Sequence, residues 1–192
     1  MIKIGIIGDI GSGKSHISNQ FGYPVFSADS EVENLYKKNK KCFKKLHKVL
    51  PKYIVSFPVK KKQILKAIIS NNNNLKKIVK VIHPEIRKSM NSFVNKNKNK
   101  KIVILDIPLL MENKINKKKD ILIFIEADKK EIKKRLKKRI DFNEKLVKKF
   151  QKLQLPVAFK KKNSNFIIKN NFNSKSTKKD VKRVLKLILL ND

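Results

Sequence analysis

Residues 8–15 read Gly8-Asp9-Ile10-Gly11-Ser12-Gly13-Lys14-Ser15, which fits the pattern G-x-x-x-x-G-K-[ST]. Glycines at these places let the backbone curl so that successive N–H groups point inward at phosphate oxygens. Lys14 then reaches the β and γ phosphates of ATP, and the Ser15 hydroxyl is placed to ligate Mg²⁺. His16 continues into a helix whose N-terminus faces the anion. An apolar run, Ile2–Ile7, precedes the loop, so the octapeptide stands between strand and helix, where phosphate binding requires it.

Other residue types suited to phosphoryl transfer lie further along the chain. Asp106 follows the apolar run Ile102-Val103-Ile104-Leu105. An acid at such a strand end can hold Mg²⁺, often through water, or can simply be a solvated acid capping the strand. Asp29 comes just after a second short strand, close to the edge of the sheet where ligands bind in open α/β folds. A carboxylate there can take the proton of an attacking hydroxyl. From position alone, a helix N-cap role suits Asp29 better. Arg135 and Arg139 stand four apart, on one face of a helix, and can clamp the transferring group or belong to a solvated basic face. The choice of Arg in a chain that otherwise prefers Lys favours the clamp.

The elements that must position these groups can be read from periodicity. Short apolar runs at 2–7, 102–105 and 121–125 predict strands buried on both faces of a parallel sheet, with shorter strands at Pro24–Phe26 and Phe166–Ile168. Helices are expected from Gly13 to Phe21, from Ala28 to Lys37, over Glu131–Ile140 and Glu144–Leu153, and over Asp180–Leu190, the last capped by Ser174, Ser176 or Thr177. From Lys41 to Lys100 apolar residues recur at three- and four-residue spacing among lysines, predicting helices interrupted at Pro51–Pro58 and at the Asn71–Asn74 run. His83-Pro84 is read as opening a helix, with Pro at its first position. Strands alternating with helices imply an α/β sandwich around a parallel sheet.

Composition sets the outer limits. A length of 192 residues suits one domain, and 40% hydrophobic residues suffice for a real core despite 33% charged ones. The formal net charge of +34 suggests a polyanion partner, but the excess is Lys spread over the whole chain rather than gathered in a patch or arm. Lys, Ile and Asn share A/T-rich codons, which accounts for the excess without a nucleic-acid partner. Such a surface draws ATP by steering and binds nucleic acid weakly and salt-sensitively. Cys42 is the single cysteine, which excludes a disulfide framework and a Cys-based zinc site. No apolar run approaches a membrane span, and the first residues carry no signal-peptide cleavage pattern, so a soluble protein of a reducing, cytoplasmic compartment is expected.

Taken in order along the chain, several segments resemble the dephospho-coenzyme A kinase family: IGIIGDIGSGKS, Phe26-Ser27-Ala28-Asp29, His83-Pro84-Glu85-Ile86-Arg87, Asp106-Ile107-Pro108-Leu109-Leu110-Met111-Glu112-Asn113, the Arg135–Arg139 helix, Gln154 and Phe166–Asn171. The P-loop alone admits many kinases; IPLLMEN at this distance from HPEIR is far more specific. The resemblance implies a P-loop NTPase-type three-layer sandwich and ATP- and Mg²⁺-dependent phosphorylation of the ribose 3′-hydroxyl of dephospho-coenzyme A. It also implies that Gly8 and Gly11–Ser15 cradle ATP and that Asp29 is the general base. Pro108, Leu109 and Leu110 then belong to a substrate-side loop, His83 and Arg87 to the substrate region, Arg139 to a lid, and Asn170 or Asn171 to the nucleotide's surroundings. Residues 1–29, 100–126 and 163–192 are expected to form the core, about 30–95 a helical substrate-binding insertion, and about 127–160 the lid. The partners expected are a small-molecule substrate, no specific nucleic acid and no membrane, for a monomer or small homo-oligomer.

Four positions depart from the family's pattern. Ser27 stands for the first aspartate of a D-A-D segment, Asp9 for a P-loop glycine, His16 for a threonine, and Glu33 for an arginine. Asp9 brings a carboxylate near the phosphates unless it points outward, and without the first acid any metal role of that segment falls to Asp106.

Overall fold

The computed structural model describes residues 1–138 and 142–190. The chain forms two compact units, one of residues 1–27 with those from 97 onward, the other of residues 28–96.

The first unit is built on five parallel strands, β1 (Ile2–Gly8), β2 (Val25–Ser27), β3 (Ile102–Asp106), β4 (Ile121–Ala127) and β5 (Phe166–Asn170), in the order β2-β3-β1-β4-β5. Its helices are α1 (Lys14–Gln20), α6 (Lys129–Lys137), α7 (Glu144–Gln151), α8 (Val157–Lys162) and α9 (Ser174–Leu190). Register explains why isoleucine dominates the strands. Ile4 pairs with Ile104, Ile6 with Ile123 and Ile125 with Ile168, so β-branched side chains form continuous rows on one face. Ile17 of α1, Phe21 just after it, and Val181, Val184 and Ile188 of α9 complete this core. Both neighbouring faces are covered at β3, all five residues of which are buried, as a continuous apolar run requires.

The second unit is helical: α2 (Ala28–Lys38), α3 (Lys40–Val49), α4 (Lys61–Ser70) and α5 (Asn72–Lys96). Its buried stripe runs through Leu35, Cys42, Leu46, Ile64, Ala67, Ile68, Ile78, Ile82 and Ile86, and lysines occupy the outer faces, as the three- and four-residue spacing requires.

Several expectations are corrected in detail. His83-Pro84 does not open a helix: Pro84 lies inside α5, carried through by the buried stripe of Ile78, Ile82 and Ile86 at four-residue spacing. The asparagine run is a joint of one residue. Asn71 ends α4 in an extended conformation, its Oδ1 accepts the Asn73 N–H at 2.8 Å, and Asn74 is buried with its amide donating to the Ala67 carbonyl at 2.9 Å. The closing helix starts at Ser174 rather than Asp180, because Asn173 Oδ1 accepts the N–H groups of Lys175 and Ser176. Helix α8 was not anticipated, its six residues being too few to show a period. Helix α6 begins two residues early because Asp128 caps it through the N–H groups of Lys130 and Glu131. The far end of the expected Glu131–Ile140 helix, Arg139 included, lies outside the described residues.

Candidate active site

The connection from β1 leads to β2 on one side of the sheet and that from β4 leads to β5 on the other, so the chain diverges between β1 and β4, which are neighbours. The carboxyl ends of strands at such a point form the ligand crevice of open α/β sheets. The P-loop leaves β1 there. A cavity of about 560 Å³ opens at the same edge, lined among others by Asp9, Ser12, Glu126, Asp128, Lys161 and Asn170.

The loop's curl depends on glycine at two places in particular. Gly13, with φ 90°, is the N-cap of α1, and a Cβ there would lie 2.3 Å from the Asn170 amide nitrogen. Gly8, with φ 151°, would place a Cβ 2.7 Å from the Ile125 carbonyl of β4. Neither position can take a side chain without moving backbone or a pinned residue. Within the curl, the Lys14 ammonium donates to the carbonyls of Gly8 (3.2 Å) and Asp9 (2.9 Å), and the Ser12 N–H donates to the Asp9 carbonyl at 3.1 Å. The Ser12 hydroxyl is buried without a hydrogen-bond partner among the described residues, and Ser12 lines the cavity, so a donor or acceptor is available to a ligand at the loop. Ser15 is exposed in the first turn of α1. Ile10 is half-buried between Asp9 and Gly11.

Asn170 ends β5 almost completely buried, with both halves of its amide engaged. Its Nδ2 donates to the Ser12 carbonyl at 2.8 Å and its Oδ1 accepts the Phe172 N–H at 2.8 Å. It therefore shapes the loop and also lines the cavity. The turn it fixes holds Phe172 at φ 61°, with the Arg135 guanidinium stacked 4.0 Å above the ring. Helix α6 carries Arg135 and presses on the loop directly: a Cβ on Gly11 would lie 3.0 Å from Leu136 and 3.2 Å from Ile132. Arg135 is thus brought beside the P-loop through two contacts, the Phe172 ring and the packing of α6 on Gly11.

Asp106 ends β3 buried, in register with Ile6 of β1 on one side and Ser27 of β2 on the other. Its carboxylate and the Ser15 hydroxyl are hard oxygen donors of the kind Mg²⁺ takes when it is held by a carboxylate, water and substrate phosphates. No group of three or more His, Cys, Asp or Glu able to build an all-protein metal cage occurs among the described residues. The donor set fits magnesium delivered with a nucleotide and does not suit a resident transition metal.

The segment after β3 turns sharply. Leu109 has φ 58°, unusual for a branched side chain. The turn leaves Pro108 exposed and drives Leu110 into the core, where it is 1% exposed. Gly5 makes room for it, since a Cβ there would lie 2.5 Å from Leu110 Cδ2. Leu110 therefore anchors this loop to β1. Further on, Glu112 Oε1 accepts the Leu155 N–H at 3.0 Å, tying the loop to the connector before α8.

Asp29, His83 and Arg87 belong to the second unit. Asp29 is exposed in the first turn of α2, which starts at Ala28, so it is not the helix's N-cap. A carboxylate in a first turn stabilises its helix through the dipole. His83 is half-buried on α5 with Arg87 one turn on; burial, and then the Arg87 charge, hold its imidazole below the usual histidine range, so it is neutral near pH 7. Glu85 accepts from Lys45 of α3 at 2.9 Å, and that hydrogen bond holds its carboxyl below the usual carboxylate range. The Cys42 thiol, buried in α3, is pushed up to about 11 by burial and is not a nucleophile.

The departures from the family's pattern each find local partners. The Asp9 carboxylate receives the Lys160 ammonium at 3.0 Å. His16 is exposed on α1, its Nε2 2.9 Å from the Gln20 amide. Glu33 forms an exposed pair with Lys37 at 2.6 Å on one face of α2. Ser27 stands beside Asp106 in the β2–β3 register. Sequence reasoning passed over Lys160 and Phe172. Nothing marks Lys160 within the run of three lysines, whereas Phe172, two residues after an asparagine at a strand end, sits in a recognisable Asx turn.

The chain matches the sequence profile of the family described as dephospho-CoA kinase over residues 2–176. It is 32% identical to the dephospho-CoA kinase of Bartonella quintana over 98% of both chains. Among solved structures, it is similar to a protein of Thermus thermophilus, with TM-score 0.79, 26% identity and coverage of 99% of this chain and 97% of that one. The dephospho-CoA kinase of Campylobacter jejuni shares the fold, with TM-score 0.65 at 22% identity over 97% and 96% of the two chains.

Proposed function

This chain belongs to the dephospho-CoA kinase family, the kinases of the last step of coenzyme A synthesis, and we propose that Lys14, Asp29 and Arg139 carry its chemistry. The reaction moves the γ-phosphoryl group of ATP to the ribose 3′-hydroxyl of dephospho-coenzyme A. The bond from the γ-phosphorus to the bridging oxygen of ADP breaks as the bond to O3′ forms, and the hydroxyl proton leaves to a base.

The observation that carries the placement of ATP is the glycine cradle. Gly8 and Gly13 approach neighbouring backbone and Asn170 too closely for any side chain, and the buried Ser12 hydroxyl has no partner among the described residues. The loop's N–H groups and the N-terminus of α1 take the phosphates. Lys14 exchanges the Gly8 and Asp9 carbonyls for β- and γ-phosphate oxygens. Ser15 and Asp106 would hold Mg²⁺, which when bound neutralises charge on the phosphates. Arg135, stacked on Phe172 beside the loop, supports Arg139 in absorbing negative charge on the transferring group. Arg139 enters on its four-residue spacing from Arg135 in the sequence and on the family resemblance. Asp29 orients the ribose hydroxyl and takes its proton late in the transfer. Pro108 and Leu109 border the acceptor on a loop that Leu110 anchors, with His83 and Arg87 in the helical substrate region about 30–95. The segment about 127–160 acts as a lid that excludes water, which would otherwise hydrolyse ATP.

No helix among the described residues is long and apolar enough to cross a membrane. We place the enzyme in the cytoplasm, as a monomer or small homo-oligomer whose basic surface steers ATP and recognises no particular nucleic acid. The test incubates the protein with ATP, Mg²⁺ and dephospho-coenzyme A, with AMP, adenosine, shikimate and single-stranded DNA as parallel acceptors at moderate salt, and follows products by mass. Coenzyme A formed from its dephospho precursor alone is the expected result. ADP released with another acceptor, without coenzyme A, would keep the P-loop and discard the substrate.

A further inference from the structure

Lys160 is one of the largest fully buried side chains of the molecule, 1% exposed, in a chain whose lysines otherwise crowd the surface. A buried ammonium persists only when paired. Its partner is the carboxylate of Asp9, inside the P-loop, at 3.0 Å. The same Asp9 residue offers its main-chain carbonyl to Lys14 at 2.9 Å and to the Ser12 N–H at 3.1 Å. One residue therefore joins the phosphate-binding lysine, the loop's internal turn and a cation from α8.

The position of α8 is itself fixed from several sides. Gly8 of β1 and Ile125 of β4 are register partners, and the next residue of each strand line is an acid, Asp9 and Glu126. The consecutive lysines of α8 take one acid each, Lys160 pairing with Asp9 and Lys161 with Glu126. Glu112, from the loop after β3, holds the Leu155 N–H just before the helix. Acids at or beyond the ends of three adjacent strands thus hold this short helix and its approach, and they fix Lys160 against the P-loop. Left unpaired, the Asp9 carboxylate would stand in the loop that must accept a triphosphate, and like charge there opposes binding.

We propose that Lys160 is a positioning residue for phosphoryl transfer: it neutralises Asp9 and holds that carboxylate away from the phosphate cradle, so that an acid is tolerated within the loop. The proposal rests on the P-loop being the ATP site. Its distinguishing consequence is that Lys160 is required only because Asp9 is present.

The experiment compares Lys160→Met, Asp9→Gly and the double variant in the full-length protein, by steady-state kinetics with ATP and dephospho-coenzyme A and by thermal unfolding. Lys160→Met should raise KM for ATP about tenfold or more, with KM for dephospho-coenzyme A within about twofold. Adding Asp9→Gly should recover most of that loss. A Lys160→Met protein too unstable to assay, made stable by Asp9→Gly, supports the pairing equally. A double variant no better than Lys160→Met in either readout, or an unchanged KM for ATP in Lys160→Met, overturns it. Calorimetric ATP binding replaces KM if the native protein makes no coenzyme A, so failure of the acceptor assignment and failure of the pairing are read separately.

Discussion

In the α/β unit, four of the seven buried polar side chains among the described residues, Ser12, Asp106, Lys160 and Asn170, sit at or against the carboxyl ends of strands, the others being Ser18, Asp120 and Thr177. In residues 28–96 the interior is almost wholly apolar, with Asn74 the one buried polar side chain among those described. The polar contacts there are mostly peripheral, such as Lys45 with Glu85 and the His47 ring with the Ile54 carbonyl. The contrast separates two ways of specifying structure. Rows of isoleucine and leucine suffice to set helices against one another, and they tolerate exchange of one apolar residue for another. A loop that must hold a triphosphate needs its backbone fixed to within fractions of an ångström, which hydrogen-bonded side chains such as Asn170 supply.

Substitutions on either side can break or sharpen this contrast. Gly13→Ala carries the largest expected effect. It combines a φ of 90° with a Cβ 2.3 Å from the Asn170 amide, so displacing the loop should cost roughly a hundredfold in kcat/KM. Steady-state kinetics with ATP varied would show it, and a fully active Gly13→Ala protein would mean that the loop is softer than the contacts imply. Ile82→Ala should do the reverse. Removing a side chain 4% exposed in the middle of α5 should lower stability by about 2–5 kcal/mol in denaturant unfolding, with KM for ATP within about twofold of native. A large rise in that KM would show that ATP binding depends on helical packing in residues 28–96. Smallest is the acid response of the Lys45–Glu85 pair. The Glu85 carboxyl titrates below its ordinary 4.5 because Lys45 donates to it. Its contribution to stability is therefore present above pH 4.5 and lost as pH falls through the lower folded value. Glu85→Gln should shrink the acid-induced fall in melting temperature slightly, the pair being partly exposed; an unaltered acid limb would show the pair to be without effect.

The same contrast governs how much could be read from sequence. The P-loop octapeptide is local, and its strand-loop-helix setting shows in eight residues with their flanks, so Gly8–Ser15 and β1 were legible together. Apolar runs announced β3 and β4 because strands covered on both faces leave no room for alternation. In residues 28–96 the helical period was equally plain, but its interruptions were not. Pro84 reads as a helix start, yet the stripe through Ile78, Ile82 and Ile86 carries α5 across it. What sequence could not reveal is the long-range polar wiring of the loop. Asn170 meets Ser12 across 158 residues and Lys160 meets Asp9 across 151; no local pattern distinguishes that lysine from its neighbours. Leu110 resembles a substrate-side residue by motif, while its burial over Gly5 depends on which residue β1 places beneath it.

We propose that the glycine loop binds ATP and that Asp29, in the first turn of α2, takes the proton of the acceptor hydroxyl. Asp29→Asn tests it most directly, with kcat for coenzyme A formation and the dissociation constant for ATP measured on the same preparation. A fall in kcat of about a hundredfold or more, with ATP affinity within about threefold of native, is the expected result. A near-normal kcat would contradict it and remove Asp29 from the chemistry.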